Sequence, residues 1–448
     1  MSHMENPLEV ARLIASKLRD KGIAEHLVLV TRELKTMVKY SNNVITAVQS
    51  WVTYRGVVYG AKDGRYVVIE TPIAVDTIDE VVTKIVSALE RVAPSPFYAP
   101  LPEPTGSPLS NTVDPKIREG LDTVPTLAHS VIDGAQSEGA QRVCGSLEAG
   151  YYELALVTST GFEGVQPHTY IKVYARAFRD DMSGHWAWGS TFIDEKKVRE
   201  VGEVAARYAS VRRNYVSIEP GKYEAILSPL VVGNLIGSSL GLGTMASAFL
   251  TLMGMSVFAK IKPGTKAFSE KLTVIDAPLE TSLPNSRGFD DEGVKCFNKP
   301  IIERGVFRGY LHNSKTAKAM QSQTTGNAGI VVPIPWNIVI EGGDDTLDNM
   351  VRDVKRGFLV LNNWYTRYHN AVEGSFSTVT RDALLYIESG EVKGVCKRLR
   401  IADNIVELFS RIESLTRELY DVWWWEVEIP TRAPYIKVAE TTFTRAEV

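Results

Sequence analysis

Side chains suited to metal or redox chemistry are scarce in this chain, with three cysteines and seven histidines among 448 residues. Cys144, Cys296 and Cys396 lie far apart and no C-x-x-C occurs, which argues against a zinc knuckle or a dithiol pair. So low and odd a count suits a reducing compartment. No two histidines share the helical spacing of a metal site. Charge of one sign is lacking too. The net charge is -3, so there is no global field to attract nucleic acid. The basic cluster Lys393–Arg400 comes without a helix-turn-helix, a zinc finger or an aromatic stacking motif. The start, MSHMENP, lacks the apolar core of a signal peptide, and its Ser-His-Met is expected to be a cloning remnant.

What is present is ordinary for a globular chain: 44% hydrophobic and 23% charged residues, enough for several domains. The pattern predicts an α+β protein, with a mixed α/β N-terminal part and a β-rich C-terminal domain. Residues 7–21 read as helix. Strand-like runs follow at Leu27–Thr31, Lys35–Lys39, Trp51–Tyr59 and Arg65–Glu70, and Lys62-Asp63-Gly64 marks a hairpin between the last two. Ile78, Val81, Val82, Ile85 and Leu89 share one helical face. Seven of the 21 prolines fall within residues 94–115, predicting an extended, exposed strap. Further on, Val143–Ala149, Tyr151–Thr158 and Tyr170–Ala177 read as strands, and Asp194–Tyr208 as an amphipathic helix. Expected divisions are therefore a 5–93 subdomain, a 94–115 linker, a 116–214 segment and a 215–448 domain.

One stretch stands apart. From Ala225 to Ala259 there is no charged residue. A bilayer span needs about 20 apolar residues, which this exceeds, but glycine, serine, threonine and asparagine dilute it and the flanks show no charge asymmetry. Gly233, Gly237 and Gly241, four apart, predict instead a buried helix whose glycine face lets another backbone approach. The run also contains Gly237-Ser-Ser-Leu-Gly241, a G-x-S-x-G match with Ser239 as would-be nucleophile, which would need a strand before it and a helix after it.

Three further stretches carry a family resemblance: RGFDDEG at 287–293, ERGVFRGYLHNSKTAKAM at 303–320 followed by TTGNAG at 324–329, and EGSFSTVTRDALLYIESGEV at 373–392 followed by IADN at 401–404. In this order they resemble the TldD/PmbA family, also called modulators of DNA gyrase. The resemblance implies a two-subunit proteolytic complex. Its TldD-type subunit bears HExxxH on a helix at this point of the chain, the two histidines and a late cysteine holding zinc and the glutamate acting as base. Here Gly237 falls at the first histidine position, Ser238 at the glutamate and Leu242 at the second histidine, and no cysteine follows Cys396. The resemblance therefore implies the PmbA or TldE type: a cytoplasmic, metal-free chain without catalytic residues or cofactor. It would pair with a zinc-bearing TldD-like subunit and help enclose peptide substrates.

Candidate chamber-lining residues are Gly237, Ser238 and Gly241 from the uncharged run. Arg287 with the carboxylates Asp290, Asp291 and Glu292 joins them, able to contact substrate or to serve structure alone. His312, Asn313 and Asn327 lie in family-similar segments. Two alternatives stay open: a free-standing homodimeric peptidase acting through Ser239 or an unrecognised site, and a homodimeric scaffold. His185, among aromatics, and Cys296 are expected to be packing residues.

Overall fold

A six-stranded antiparallel sheet forms the first layer of the computed structural model, which describes residues 6–211, 214–397 and 399–446; the start MSHME and Arg398 of the basic cluster lie outside them. Its strands are β1 (Glu25–Ser41), β2 (Val44–Lys62), β3 (Arg65–Pro72), β4 (Arg142–Thr158), β5 (Glu163–Arg179) and β6 (Met182–Ser190), in the order β3-β2-β1-β4-β5-β6. Strands from both sides of the proline-rich stretch thus share one sheet. The predicted hairpin is present, with Asp63 at φ 51° and Gly64 at φ 74° making the tight turn between β2 and β3.

The predicted breaks in two strands are absent: β1 and β4 each run unbroken for 17 residues. The gap between the predicted runs falls at Arg32-Glu33-Leu34 in β1 and at Gly150 in β4. Arg32 is instead paired across the sheet with Glu153 at 3.1 Å, and Glu33 accepts from the Tyr170 hydroxyl at 2.8 Å. Cross-strand partners let a sheet carry charge at mid-strand without ending it.

Helices Pro7–Asp20 and Ile78–Arg91 cover one part of this sheet. Val10, Ile14, Leu18, Val82 and Ile85 pack there on Val28, Val30 and Val58. Helices Val124–Ser137 and Glu195–Ala209 cover the rest, the second capped by Asp194, whose carboxylate accepts from Lys196 and Lys197 N–H. Residues 94–114 are extended as predicted, but tied down. Thr105 and Gly106 N–H both donate to the Gly293 carbonyl, and Leu109 N–H donates to the Gln166 side chain.

The C-terminal part is β-rich. Strands Arg356–Asn370, Gly221–Leu227, Ile436–Arg445, Leu399–Asn404 and Ser375–Glu388 pair in that order, and the last returns to the first, closing a ring. Phe358, Phe376 and Phe443 lie fully buried in its core cluster. A further six-stranded sheet places Val274–Asp276, Ile338–Ile340 and Val427–Ala433 side by side. Turns at Arg304-Gly305 and Ser389-Gly390 adopt positive φ at both residues, matching the Gly-turn signals in the sequence. Among the described residues no helix is long and apolar enough to cross a membrane.

The uncharged run starts in the strand Gly221–Leu227, passes the cap Ser228 and forms a helix over Pro229–Gly237, every residue of which is buried. Gly233 and Gly237 face the strand Val427–Ala433 as expected, but Gly241 does not share their helix. The helix stops because the chain folds back on it. Ser238 turns extended, and the N–H groups of Leu242 and Gly243 donate to the Leu235 and Ile236 carbonyls at 2.9 Å, satisfying carbonyls that the helix end leaves without a partner. Gly241 makes that return possible, since a Cβ there would stand 2.4 Å from the Ile236 carbonyl oxygen.

Candidate functional site

Of the three positions that the resemblance sets against the zinc motif, Gly237 and Leu242 are packed closed. A Cβ on Gly237 would lie 2.2 Å from Thr431 Oγ1 and 3.0 Å from the Ile429 carbonyl oxygen. Leu242 is fully buried in the apolar cluster of the C-terminal part. Ser238 is half-buried at the helix end, and Ser239 is exposed one residue later. None of these side chains fits a zinc site: a hydrogen, a hydroxymethyl and an isobutyl group offer no imidazole, thiolate or carboxylate. Among the described residues no three of the His, Cys, Asp and Glu side chains come together as a metal cluster. Ser239 also lacks the setting of a nucleophile elbow, because a helix precedes it and a tight turn follows.

The remaining sequence candidates converge in a buried polar knot. Asp290 is fully buried, and its carboxylate accepts from the N–H groups of Glu292, Val294 and Ala328, each at 2.9 Å. Burial and neighbouring Glu292 outweigh those donors and push its pKa up to about 7. Glu292, equally buried, accepts from Ser314 N–H at 2.8 Å and from Ser314 Oγ at 2.6 Å, with Lys315 Nζ at 3.4 Å. Asn313 caps the helix Ser314–Ala319 and donates to the Gly329 and Val331 carbonyls. Asn327 donates to Asp276 at 2.6 Å and accepts from Thr325, which also receives the His312 N–H. His312 is buried, and its pKa falls to about 4. Cys296 packs here as expected, its thiol donating to the Gly326 carbonyl while burial drives its pKa up.

Gly237 and this knot belong to one frame. Thr431, against Gly237, pairs with Ile338, and Ile338 pairs with Asp276, the partner of Asn327. Two strand spacings amount to about 10 Å.

Arg287 and Asp291 are the candidates that reach open space. The guanidinium carbon lies over the Trp336 ring, 3.9 Å from its centre, and the group donates to the Phe289 carbonyl at 2.7 Å and to Asp291 at 2.9 Å. Both residues edge a cleft of about 610 Å³ between the first sheet and the loops at 284–291 and 330–331. Its floor carries Glu33, Glu148, Tyr152, Tyr170 and Lys172, with Trp423 at the side. The Tyr170 hydroxyl sits 2.8 Å from Glu33 and 3.1 Å from Glu148, although its one proton serves a single carboxylate at a time. The sequence candidates omitted this floor. The signal that could have found it is the charge embedded in the strands, Glu33, Glu148 and Lys172.

Behind the cleft wall lies a pair that no motif announces. His168 Nδ1 donates to its neighbour's carbonyl, Thr169 O, at 2.8 Å, so Nε2 accepts from Ser286 Oγ at 2.9 Å. That is the geometry of a hydroxyl and its base. Yet Ser286 and His168 are both buried, and burial lowers the imidazole to about 4, leaving a weak base with no opening toward substrate.

Comparison with known proteins bears on the whole arrangement. Residues 220–445 match the family model described as the PmbA/TldA metallopeptidase C-terminal domain, and residues 108–213 match that of the central domain. A metalloprotease of Methanocaldococcus jannaschii is 32% identical over 203 residues, 44% of each chain. Metalloprotease PmbA of Escherichia coli is 23% identical over 210 residues, 46% of this chain and 45% of that one. These matches span about half the length of the curated relatives. Among solved structures, TldE from Thermococcus kodakarensis superposes with a TM-score of 0.85 at 20% identity, covering 97% of this chain and 99% of that one. A putative modulator of DNA gyrase from Thermotoga maritima gives 0.81 at 19%, with the same coverage. At that identity the likeness is one of fold. The two family models together cover most of the sequence, and the chain belongs to the PmbA/TldD family of metallopeptidase-related proteins.

Proposed function

We propose that this chain is the metal-free member of a cytoplasmic peptide-processing pair. It joins a zinc-bearing TldD-like subunit and supplies part of the walls that hold an extended peptide, while its partner supplies metal and base. The observation that carries this is the closure at Gly237: where the family's catalytic type needs an imidazole, Thr431 and the Ile429 carbonyl already fill the space. Arg287 and Asp291, at the edge of the cleft, are the groups placed to meet a peptide's carboxylate, carbonyl or amine.

Co-expression with the HExxxH-bearing relative from the same genome tests the proposal. A stable one-to-one complex is expected, with peptidase turnover in the complex and none in this chain alone. Turnover by the isolated chain, at zinc content near one equivalent, sinks it. The homodimeric-peptidase alternative requires turnover by the isolated chain that chelation leaves intact.

A further inference from the structure

The floor of the cleft continues beyond it. Glu148 and Lys172, on that floor, are cross-strand partners on β4 and β5. Side chains alternate along a strand. Ser146 and Cys144 on β4, with Tyr174 and Arg176 on β5, therefore carry the same face onward, and each is partly exposed. From Tyr152, beside Arg287, to Cys144 is eight residues of β4, or about 26 Å.

Arg381 stands at the far end of this strip. It lies on the strand Ser375–Glu388, near Cys144, Tyr174 and Arg176. Its guanidinium rests over the Trp364 ring at 4.7 Å, and with the described residues it makes no hydrogen bond or ion pair. The acids nearby are already engaged. Asp382 holds Arg176, Ser183 and Asn362, and Glu426 accepts from Asn234. Arg381 is half-buried, and burial together with the Arg176 guanidinium depresses its pKa. A cation so placed lacks the anion that would offset its lost hydration. Two aromatic side chains open to solvent flank it: Tyr365, edge-on to Trp364, is 58% exposed, and Trp425, beside Glu426, is 55% exposed.

We propose that Arg381 anchors an acidic side chain of an extended peptide, about eight residues along the chain from the group that Arg287 meets. This rests on the peptide-holding role proposed above and names the peptide's class. An extended chain advances about 3.3 Å per residue, so a peptide held at Arg287 reaches Arg381 along the strip. A carboxylate fits the fork of a guanidinium, which can give it two parallel N–H bonds. Midway, Glu148 and Lys172 face each other at 3.7 Å, so the unmatched charge is at Arg381.

The test is fluorescence anisotropy of the full chain with labelled, otherwise uncharged 12-residue peptides that differ at one residue. The glutamate peptide is expected to bind about tenfold tighter than the glutamine peptide, a preference that falls as salt rises. Arg381→Gln should bring the two to equal affinity with an unchanged circular dichroism spectrum, and Arg381→Glu should turn the preference toward a lysine peptide. Equal affinity of the wild-type chain for the two, or a preference that survives Arg381→Gln, overturns the proposal and leaves the peptide-holding role standing. A chain that takes neither peptide overturns both. Tighter binding of an oligothymidylate of the same length, lost in Arg381→Gln, also overturns the proposal, because the occupant is then a nucleic acid.

Discussion

Gly237→Ala is the smallest change that probes the closed zinc position. The added methyl would meet Thr431 Oγ1 at 2.2 Å and the Ile429 carbonyl oxygen at 3.0 Å, so the helix or the strand Val427–Ala433 must shift. Overpacking of this kind costs about 1–3 kcal/mol. Replacing glycine in a helix returns at most about 1 kcal/mol, and less at a terminal residue. The balance is a loss of about 1–2 kcal/mol, or about 3–6 °C in Tm for a cooperative unit of 150–250 residues. Gly233→Ala is the control one turn earlier. Its methyl meets Val427 methyls at 3.3 and 3.4 Å, which yield easily, so the propensity gain dominates and Tm stays level or rises. Thr431→Ala removes the obstructing oxygen together with its bond to the Ile429 carbonyl. Alone it should destabilise by about 1 kcal/mol; in the Gly237→Ala background it should cost less than that, or restore stability, a coupling of about 1 kcal/mol or more. Thermal melts of the five chains decide. If Gly237→Ala melts with wild type, or its effect adds simply to that of Thr431→Ala, the position is not closed in the way described.

Three other outcomes follow from the contacts. Asp382→Ala should cost about 3–5 kcal/mol in denaturant unfolding, because it strips Arg176, Ser183 and Asn362 of a buried carboxylate bonded to all three at 2.6–3.0 Å. Acid should destabilise the chain: burial lowers His168 and His185 to about 4 in the fold against 6.5 unfolded, so the unfolded chain takes up their protons first and stability is lost as pH falls from about 6.5 toward 4. Each imidazole contributes about 2–3 kcal/mol of that loss, and His185→Phe should flatten the Tm–pH slope without lowering stability at neutral pH. Arg287→Ala should weaken binding of an extended peptide by roughly tenfold in fluorescence anisotropy, about 1.4 kcal/mol; unaltered affinity removes Arg287 from the binding surface.

Much of the fold was legible because its signals were local. The 63–64 hairpin, the 78–91 face and the amphipathic helix that starts beside Asp194 are set by residues a few positions apart, and the structure places each where its pattern predicts. What the sequence hid depends on partners far along the chain. Arg32 and Glu33 looked like an interruption because Glu153 and Tyr170, their partners, are more than a hundred positions away. The same distance concealed the cleft floor and the Ser286–His168 bond, whose members are 118 positions apart. Gly241 misled in the other direction: its spacing from Gly237 matched a helical face, but spacing carries no information about where a helix is capped, and here the cap is the chain's own return.

The acidic segment shows why a motif can be legible while its chemistry is not. Asp290, Asp291 and Glu292 read in sequence as three equivalent carboxylates. In the fold Asp290 is engaged by three backbone N–H groups, Glu292 by Ser314 and Lys315, and Asp291 by Arg287 at the edge of open space. A carboxylate whose oxygens already hold backbone donors has little capacity left for a ligand, so Asp290 and Glu292 set the loop that presents the Arg287–Asp291 pair. Substituting either buried acid should therefore cost stability first and peptide binding only through it, whereas Arg287→Ala, which also leaves Asp291 unpaired, should cost binding directly as well as stability. That ordering follows from which oxygens are already bonded, a distinction that residue type alone does not contain.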